Sequence, residues 1–418
     1  MKTKAVRLYA ANDLRLEEFE LPAMGEDEIL MRVVCDSICM STYKAAIQGN
    51  AHRRVPKDID KKPVMIGHEF CGDLLEVGAK WKDKFKPGMR VAIQPALGVD
   101  GSLDAPGYSF RWIGGDATYI VIPRIVMDAG CLLPFDGDYF RGGLSEPVSC
   151  VVGAFHASYH GKYGSYIHEM GVKPGGKMAM LGAAGPMGSA AVEYALNFDR
   201  KPSVLVVTDV DQKRLDQAES LNSPAKAKGK GVTLSYVNTA GMPDPAVKLR
   251  EIAGGGYDDV FVFAPVREVV ELGDRILGTD GCLNFFAGPS DAKFAATVNF
   301  YNIHYAYSHF VATSGGNKDD MAEGLKLMGE GRIDPSFLVT HIGGLTSVVR
   351  TTLDLPKLPG WKKLIYTHVD MPLTAIADFA EKGKTDPCFA ALAELTARTG
   401  GRWNADAEKY LLVHGKPV

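Results

Sequence analysis

No stretch of this sequence approaches the roughly 20 consecutive apolar residues that a bilayer-spanning helix needs, so no membrane partner is expected. The opening Met1-Lys2-Thr3-Lys4-Ala5-Val6 lacks the apolar core of a secretory signal and runs directly into β-prone residues. An excess of one charge is also missing. Forty-seven Lys and Arg face 50 Asp and Glu, a net charge of −3, too small to gather nucleic acid or anionic lipid by field alone. Cysteine is sparse: seven, irregularly spaced. An odd number cannot form a fully paired disulfide framework and suits a reducing compartment. Low-complexity tracts and convincing internal repeats are absent. These absences point to a cytoplasmic protein with no nucleic-acid or membrane partner.

What is present is length. A chain of 418 residues exceeds what one core usually supports, so two domains are expected. With 46 Gly and 23 Pro, tight turns between short elements should be common. Residues 1 to about 150 read as short strands, among them Ile29 to Val34, Gly72 to Gly78, Arg90 to Ile93 and Ala117 to Ile122, with punctuation such as Lys86-Pro87-Gly88 between them. That pattern predicts a barrel-like β domain. From about residue 155 the rhythm changes. Lys177 to Leu181 and Ser203 to Asp209 read as strands and Ser189 to Leu196 and Gln212 to Leu221 as helices, with further strands at Asp259 to Phe263 and Gly281 to Phe286. Apolar strands alternating with helices predict an α/β doubly wound parallel sheet covered on both faces. Asp319 to Gly329 is expected to be helical, Lys362 to Tyr366 a strand, and the remainder mostly helical up to Arg398.

The first candidate site follows the strand ending at Leu181: Gly182-Ala183-Ala184-Gly185-Pro186-Met187-Gly188. A dinucleotide fingerprint needs small residues where the backbone turns tightly, where it approaches the pyrophosphate, and where helix packs on strand. Gly185 and Gly188 fill the second and third roles. The first falls on Ala183, with Gly182 one place early. Asp209 ends the next strand, where an acid accepts hydrogen bonds from the ribose hydroxyls and repels a 2′-phosphate, favouring NAD(H). Lys213 and Arg214 lie close enough to weaken that preference and keep NADP(H) open. The candidate cofactor-binding residues are therefore Ala183, Gly185, Pro186, Met187, Gly188, Asp209 and Arg214.

The second constellation lies nearer the N-terminus: Cys39 in Ser37-Ile38-Cys39-Met40-Ser41-Thr42, His68 and Glu69 in Ile66-Gly67-His68-Glu69-Phe70, and Glu146 in Leu144-Ser145-Glu146-Pro147. Zinc takes mixed thiolate, imidazole and carboxylate ligands, and a catalytic site keeps one position open. Such an ion polarises a carbonyl or lowers the pKa of a bound alcohol, as reversible hydride transfer requires.

Taken together, Cys39-x-Ser41, Gly67-His68-Glu69, Glu146-Pro147, the Gly-rich turn and Asp209 resemble the medium-chain dehydrogenase/reductase superfamily. The closest broad likeness is its polyol dehydrogenase branch, over roughly residues 1 to 370. The resemblance implies a GroES-like β-barrel catalytic domain, at 1–154 and 330–418 with a C-terminal extension, and a Rossmann domain at 155–329. It implies one catalytic zinc on Cys39 and His68, with Glu69 or Glu146 completing the set, and Ser41 relaying the substrate proton. Glu69 counts as both ligand and catalytic residue. Two features depart from the family. Met40 and Thr42 replace the usual Gly and Asp around the serine, and no cysteine lies between Gln94 and Tyr119, where a structural-zinc lobe would fall. No structural zinc is expected.

Residues 44 to 62 carry Lys44, Arg53, Arg54, Lys57, Lys61 and Lys62 against Asp58 and Asp60, a cationic rim able to hold a phosphate. The segments Asp36 to Lys44, Gln94 to Leu97, Asp104 to Ser109 and Ala154 to His160, with the tail after Asp370, resemble the L-sorbose-1-phosphate reductase group. That resemblance implies a polyol or sugar-phosphate substrate, with L-sorbose 1-phosphate and D-glucitol 6-phosphate interconverted. The alternatives are a zinc dehydrogenase of an unphosphorylated polyol or secondary alcohol, and a non-catalytic binding protein on the same fold. The resemblance also implies a homo-oligomer, dimer or tetramer. The tail's Ile376, Phe379, Phe389, Leu392 and Leu395 are spaced to pack on the body or on a neighbouring subunit.

Overall fold

The structure is a computed structural model and describes every residue except Tyr163. It divides into two compact units, Met1–Pro147 with Asn317–Val418, and Val148–Gly316. The first crossing lies within one helix, Ser145–Ala157, a few residues before the expected boundary.

The first unit is organised on one long strand, Ile29–Ile38, nine of whose ten residues are buried. Buried on both faces, it shows the near-continuous apolar run of a central strand rather than clean alternation. It pairs antiparallel with Phe70–Val77, Tyr119–Ile122 and Lys362–Tyr366. The whole sheet has eight strands, and its main path runs Thr374–Ala375, Val339–Gly344, Lys362–Tyr366, Ile29–Ile38, Phe70–Val77, Arg90–Ile93, Leu132–Pro134. A three-stranded sheet of Asp13–Glu20, Lys2–Ala10 and Val64–Met65 accompanies it. The core is built from Ile29, Met31, Val33, Phe70, Leu74, Val91 and Ile120.

The extension after residue 370 belongs to this unit. Phe379 and Leu392 are fully buried and Ile376 and Phe389 nearly so, so the expected apolar spacing packs on the chain's own body; Leu395 is only half-buried. One helix lies beyond the expected helical stretch. Ala405–His414 starts at Asn404, whose side chain accepts from the Ala407 amide, and it buries Glu408. Glu408 accepts hydrogen bonds from the amides of Tyr139 and Phe140 and from the Tyr366 hydroxyl, each at 2.7 Å. Trp403, also buried, donates to the Tyr366 oxygen at 2.7 Å.

The second unit holds six parallel strands in the order Thr233–Asn238, Val204–Asp209, Lys177–Leu181, Tyr257–Val262, Leu277–Phe285, His309–Ala312. This is the doubly wound arrangement expected from the sequence. Chain order reverses beside Lys177–Leu181, the switch point at which such sheets bind ligands. Among the described residues no helix is long and apolar enough to cross a membrane.

Candidate active site

Cys39 follows directly on the central strand and caps the helix Met40–Gln48, its Sγ accepting from the Ser41 amide at 3.5 Å. His68 and Glu69 sit in the short link between Val64–Met65 and Phe70–Val77. Gly67 makes that link feasible. At φ +89° it occupies the left-handed region, and a Cβ there would lie 2.6 Å from the Asp116 amide nitrogen. The backbone of Glu69 is tied to the central strand on both sides. Its amide donates to Asp36 Oδ1 at 3.1 Å, and its carbonyl accepts from the Ser37 amide at 3.1 Å.

The outcome is convergence. One donor atom each from Cys39, His68 and Glu69 lies within 4.8 Å of the others. A thiol, an imidazole and a carboxylate at that spacing match the donor set and size of a zinc site, so the residues present fit the ion. Glu146, in the first turn of Ser145–Ala157, is not one of the three converging donors. It is buried nearby, and its charge helps to raise the pKa of Cys39, Tyr108 and Lys362. Ser41 is exposed in the first turn of its helix.

Three side chains that the sequence alone does not single out for this site complete it. Lys362 is the most consequential. Its Nζ donates to both oxygens of Glu69, at 2.6 and 2.5 Å, with the acid 1% and the lysine 11% exposed. The sheet register explains how it arrives. Lys363 pairs with Ile38, so Lys362 falls opposite Cys39. Strand alternation then sends the two neighbours apart, Lys362 to Glu69 and Lys363 to the carbonyls of Pro359 and Trp361. A buried strand opening on a lysine was the available signal, but its partner lies 293 residues away.

The second is Thr42, whose Oγ1 lies 3.0 Å from His68 Nδ1. The residue that departs from the family pattern therefore orients the imidazole. The third is Tyr108, whose hydroxyl lies 3.2 Å from His68 Nε2. Burial, above all, pushes this phenol's pKa well up, so it stays protonated and donates. Burial also lowers His68 to about 4, so the ring is neutral at pH 7. With Nδ1–H donating to Thr42, Nε2 accepts from Tyr108, a hydrogen bond that a metal at Nε2 would replace.

The remaining electrostatics are consistent with a cation site. Burial would raise Glu69, but Lys362 and then His68 outweigh it and hold the carboxyl below its ordinary value. Ser37 Oγ donates to the same carboxylate at 2.5 Å. Burial, with Glu69 beside it, pushes the Cys39 thiol up to about 12. A metal ion reverses that by stabilising the thiolate.

In the second unit, the turn after Lys177–Leu181 corrects one expectation. The left-handed residue is Gly182, at φ +64°, so the tight turn falls there and not on Ala183. Ala183 is fully buried, its amide donating to the Thr208 carbonyl at 2.8 Å, and the chain accommodates its methyl. The other two glycines have the geometry that their expected roles need. A Cβ added at Gly185 would meet nothing within 4 Å, so the backbone there is open to approach, whereas at Gly188 a Cβ would meet the Ala183 carbonyl oxygen at 2.0 Å. The helix Pro186–Asn197 starts without a side-chain cap, which leaves the first N–H groups after Pro186 available to an anion. Asp209 Oδ2 accepts from the Ala184 amide at 3.2 Å, binding the acid to the turn. Arg214 is exposed, 3.7 Å from Asp211. Substituting Gly188 with Ala should push the helix off the strand and weaken NADH binding by about tenfold or more. Fluorescence titration measures this, and unchanged affinity would remove the helix start from the cofactor site.

Comparison with known proteins agrees with this geometry. The family model of the alcohol dehydrogenase GroES-like domain matches residues 25–128. The chain is 49% identical to the mannitol-1-phosphate 5-dehydrogenase of Aliivibrio fischeri over 413 residues, 98% of this chain and 97% of that one. It is 48% identical to the L-sorbose 1-phosphate reductase of Klebsiella pneumoniae over 418 residues, 100% of this chain and 98% of that one. Among solved structures, the 2R,3R-butanediol dehydrogenase of Bacillus subtilis superposes with a TM-score of 0.70 at 22% identity, covering 87% of this chain and 99% of that one.

Proposed function

Because the chain belongs to the polyol dehydrogenase branch of the zinc-dependent medium-chain dehydrogenases, we propose that it moves a hydride between a nicotinamide and a carbinol carbon of a polyol phosphate. The enzyme is a nicotinamide-dependent oxidoreductase of sugar-phosphate polyols. The finer reading is reduction of a ketose phosphate such as L-sorbose 1-phosphate to D-glucitol 6-phosphate, with NADH oxidised to NAD. The observation that carries it is the meeting of Cys39, His68 and Glu69 in a chain half identical to two sugar-phosphate enzymes.

Cys39, His68 and Glu69 would hold one zinc per chain, with Glu146 beside them. When bound, zinc supplies the Lewis acidity that polarises a ketone and stabilises the corresponding alkoxide. The chain's own residues do the rest. Thr42 orients the imidazole through Nδ1, Tyr108 lies beside Nε2, and Lys362 balances the carboxylate. Ser41, two residues beyond Cys39, hands a proton to the substrate oxygen during reduction and takes it back during oxidation. Asp209 receives the adenosine ribose and favours NAD over NADP.

Purified protein should contain close to one equivalent of zinc and oxidise D-glucitol 6-phosphate in preference to D-glucitol, faster with NAD than with NADP. Replacing Ser41 with Ala should cut kcat by about 10²-fold while zinc content stays the same. Loss of zinc in that variant would reassign Ser41 to a structural role, and turnover of free polyols alone would refute the phosphate reading.

A further inference from the structure

Tyr108 holds the lone pair that a metal would need. Thr42 Oγ1 takes the Nδ1 side of the His68 ring at 3.0 Å, which leaves Nε2 as the ligand atom, and Nε2 lies 3.2 Å from the Tyr108 hydroxyl. The two rings stand 4.8 Å apart, centroid to centroid. One lone pair accepts a hydrogen bond or a metal, so phenol and cation exclude each other at Nε2. In the metal-free pocket the hydroxyl keeps a buried acceptor satisfied. On loading, it loses its partner.

The tyrosine cannot follow by moving away. It is 5% exposed. The His52 ring stacks on it, centroids 5.8 Å and planes 9° apart, and the Arg54 guanidinium carbon lies 5.7 Å from its centroid. The backbone is held as firmly. The amides of Tyr108 and Ser109 donate to the Ala105 carbonyl at 3.1 and 3.0 Å, and Ser109 Oγ donates to the Arg54 carbonyl at 2.7 Å. Gly107 sets this turn directly against the link that carries His68. Its φ is +80°, and a Cβ there would lie 2.0 Å from the Gly67 carbonyl oxygen. The ring therefore stays, and only the hydroxyl hydrogen is free to turn. A buried hydroxyl that has lost its acceptor must find another. The thiol, imidazole and carboxylate would be engaged by the metal, whereas the oxygen on the reacting carbon arrives at the position left open beside them.

We infer that Tyr108 serves two states of the site with one hydroxyl: it caps His68 Nε2 while the pocket is empty, and it donates to the oxygen of the substrate's reacting carbon once a metal has taken that nitrogen. This rests on the dehydrogenase reading above and adds a second group to the oxygen that Ser41 serves. No proton leaves the phenol. During reduction Ser41 supplies the proton, while the Tyr108 O–H steadies the negative charge that develops on that oxygen as hydride reaches the carbon.

Tyr108→Phe removes one oxygen atom and tests both roles, because its effects should have opposite signs. Equilibrium competition with a chromophoric chelator should show zinc bound about 10-fold more tightly, since the empty pocket has lost its cap. At saturating zinc, kcat should fall about 10²-fold with KM nearly unchanged, using D-glucitol 6-phosphate or D-mannitol 1-phosphate, whichever the parent turns over faster. Thr42→Val, which strips the other nitrogen of its partner, should instead weaken zinc about 10-fold. Placing 3-fluorotyrosine at position 108 keeps the ring and the fold and makes a stronger donor, so it should weaken zinc binding a few-fold, and it carries the test if the Phe variant does not fold. Zinc affinity and kcat falling together in Tyr108→Phe, an unchanged kcat, or a zinc affinity that neither change at 108 moves overturns this assignment and spares the dehydrogenase reading. A parent enzyme that takes up no zinc and oxidises neither ester overturns both.

Discussion

Replacing Lys362 with Met should destabilise the zinc-free protein by about 3–5 kcal/mol, the usual cost of stranding one member of a buried ion pair. Glu69 is 1% exposed, and Lys362 Nζ is the cation on both of its oxygens. Among the described residues the carboxylate would then keep only the Ser37 hydroxyl, and it must either remain charged in a buried site or take up a proton. If zinc binds Glu69 as proposed, the loss should be much smaller with the metal present, because the ion would supply the missing positive charge. The experiment is therefore urea unfolding of parent and variant, each stripped and zinc-loaded. Tryptophan fluorescence suits it, since all four tryptophans, Trp81, Trp112, Trp361 and Trp403, lie in the first unit. An equal loss with and without zinc would show that Glu69 does not sense the metal, leaving Glu146 to complete the ligand set.

Replacing Glu408 with Ala should cost a similar amount, about 3–5 kcal/mol, for a different reason. Three buried donors, the amides of Tyr139 and Phe140 and the Tyr366 hydroxyl, would lose their acceptor together, and each unmet donor costs about 1–3 kcal/mol less whatever water can recover. Glu408→Gln keeps one oxygen and should fall between the two. The damage should also reach turnover. Tyr139 and Phe140 open the short helix that leads to Glu146, and Tyr366 ends the strand that begins at Lys362. Denaturant midpoints and kcat measured on the same preparations check this, and a Glu408→Ala protein as stable as its parent would reduce the extension to an ornament.

Much of this arrangement was legible in the sequence because its signals are local. The helix Gln212–Leu221 and the strand Lys362–Tyr366 lie where the periodicity and apolar runs put them. The dinucleotide turn was readable because strand, glycines, helix and terminal acid succeed one another within one βαβ unit. Its one error, the placement of the tight turn on Ala183, came from matching residues to a template where the backbone needs a positive φ, which Gly182 supplies. Cys39, His68 and Glu69 could be proposed together because the Cys39-x-Ser41 and Gly67-His68-Glu69 patterns resemble a known family, and the pairing of Ile29–Ile38 with Phe70–Val77 helps to bring them together.

Lys362, Tyr108 and Glu408 were not legible, for a common reason. Each acts through a partner far along the chain, and each alone has an ordinary explanation: a strand-edge lysine, a core tyrosine, a helix glutamate. The basic loop shows the complementary failure. Its composition pointed to phosphate, but composition could not say that Lys57 and Lys62 face their own loop while Arg54 lies over Tyr108. The helix Ala405–His414 was within reach, since Asn404 is a good cap before a run of helix formers.

The register that sets Lys362 opposite Cys39 also orders events during synthesis. A nascent chain presents its thiol, imidazole and carboxylate to the cell long before the ribosome reaches the lysine, 293 residues after Glu69. Until then the acid has no counter-charge from this strand, and the sheet that shapes the pocket lacks a central member. A metal captured by an unfinished polypeptide would meet that carboxylate without its lysine counter-charge.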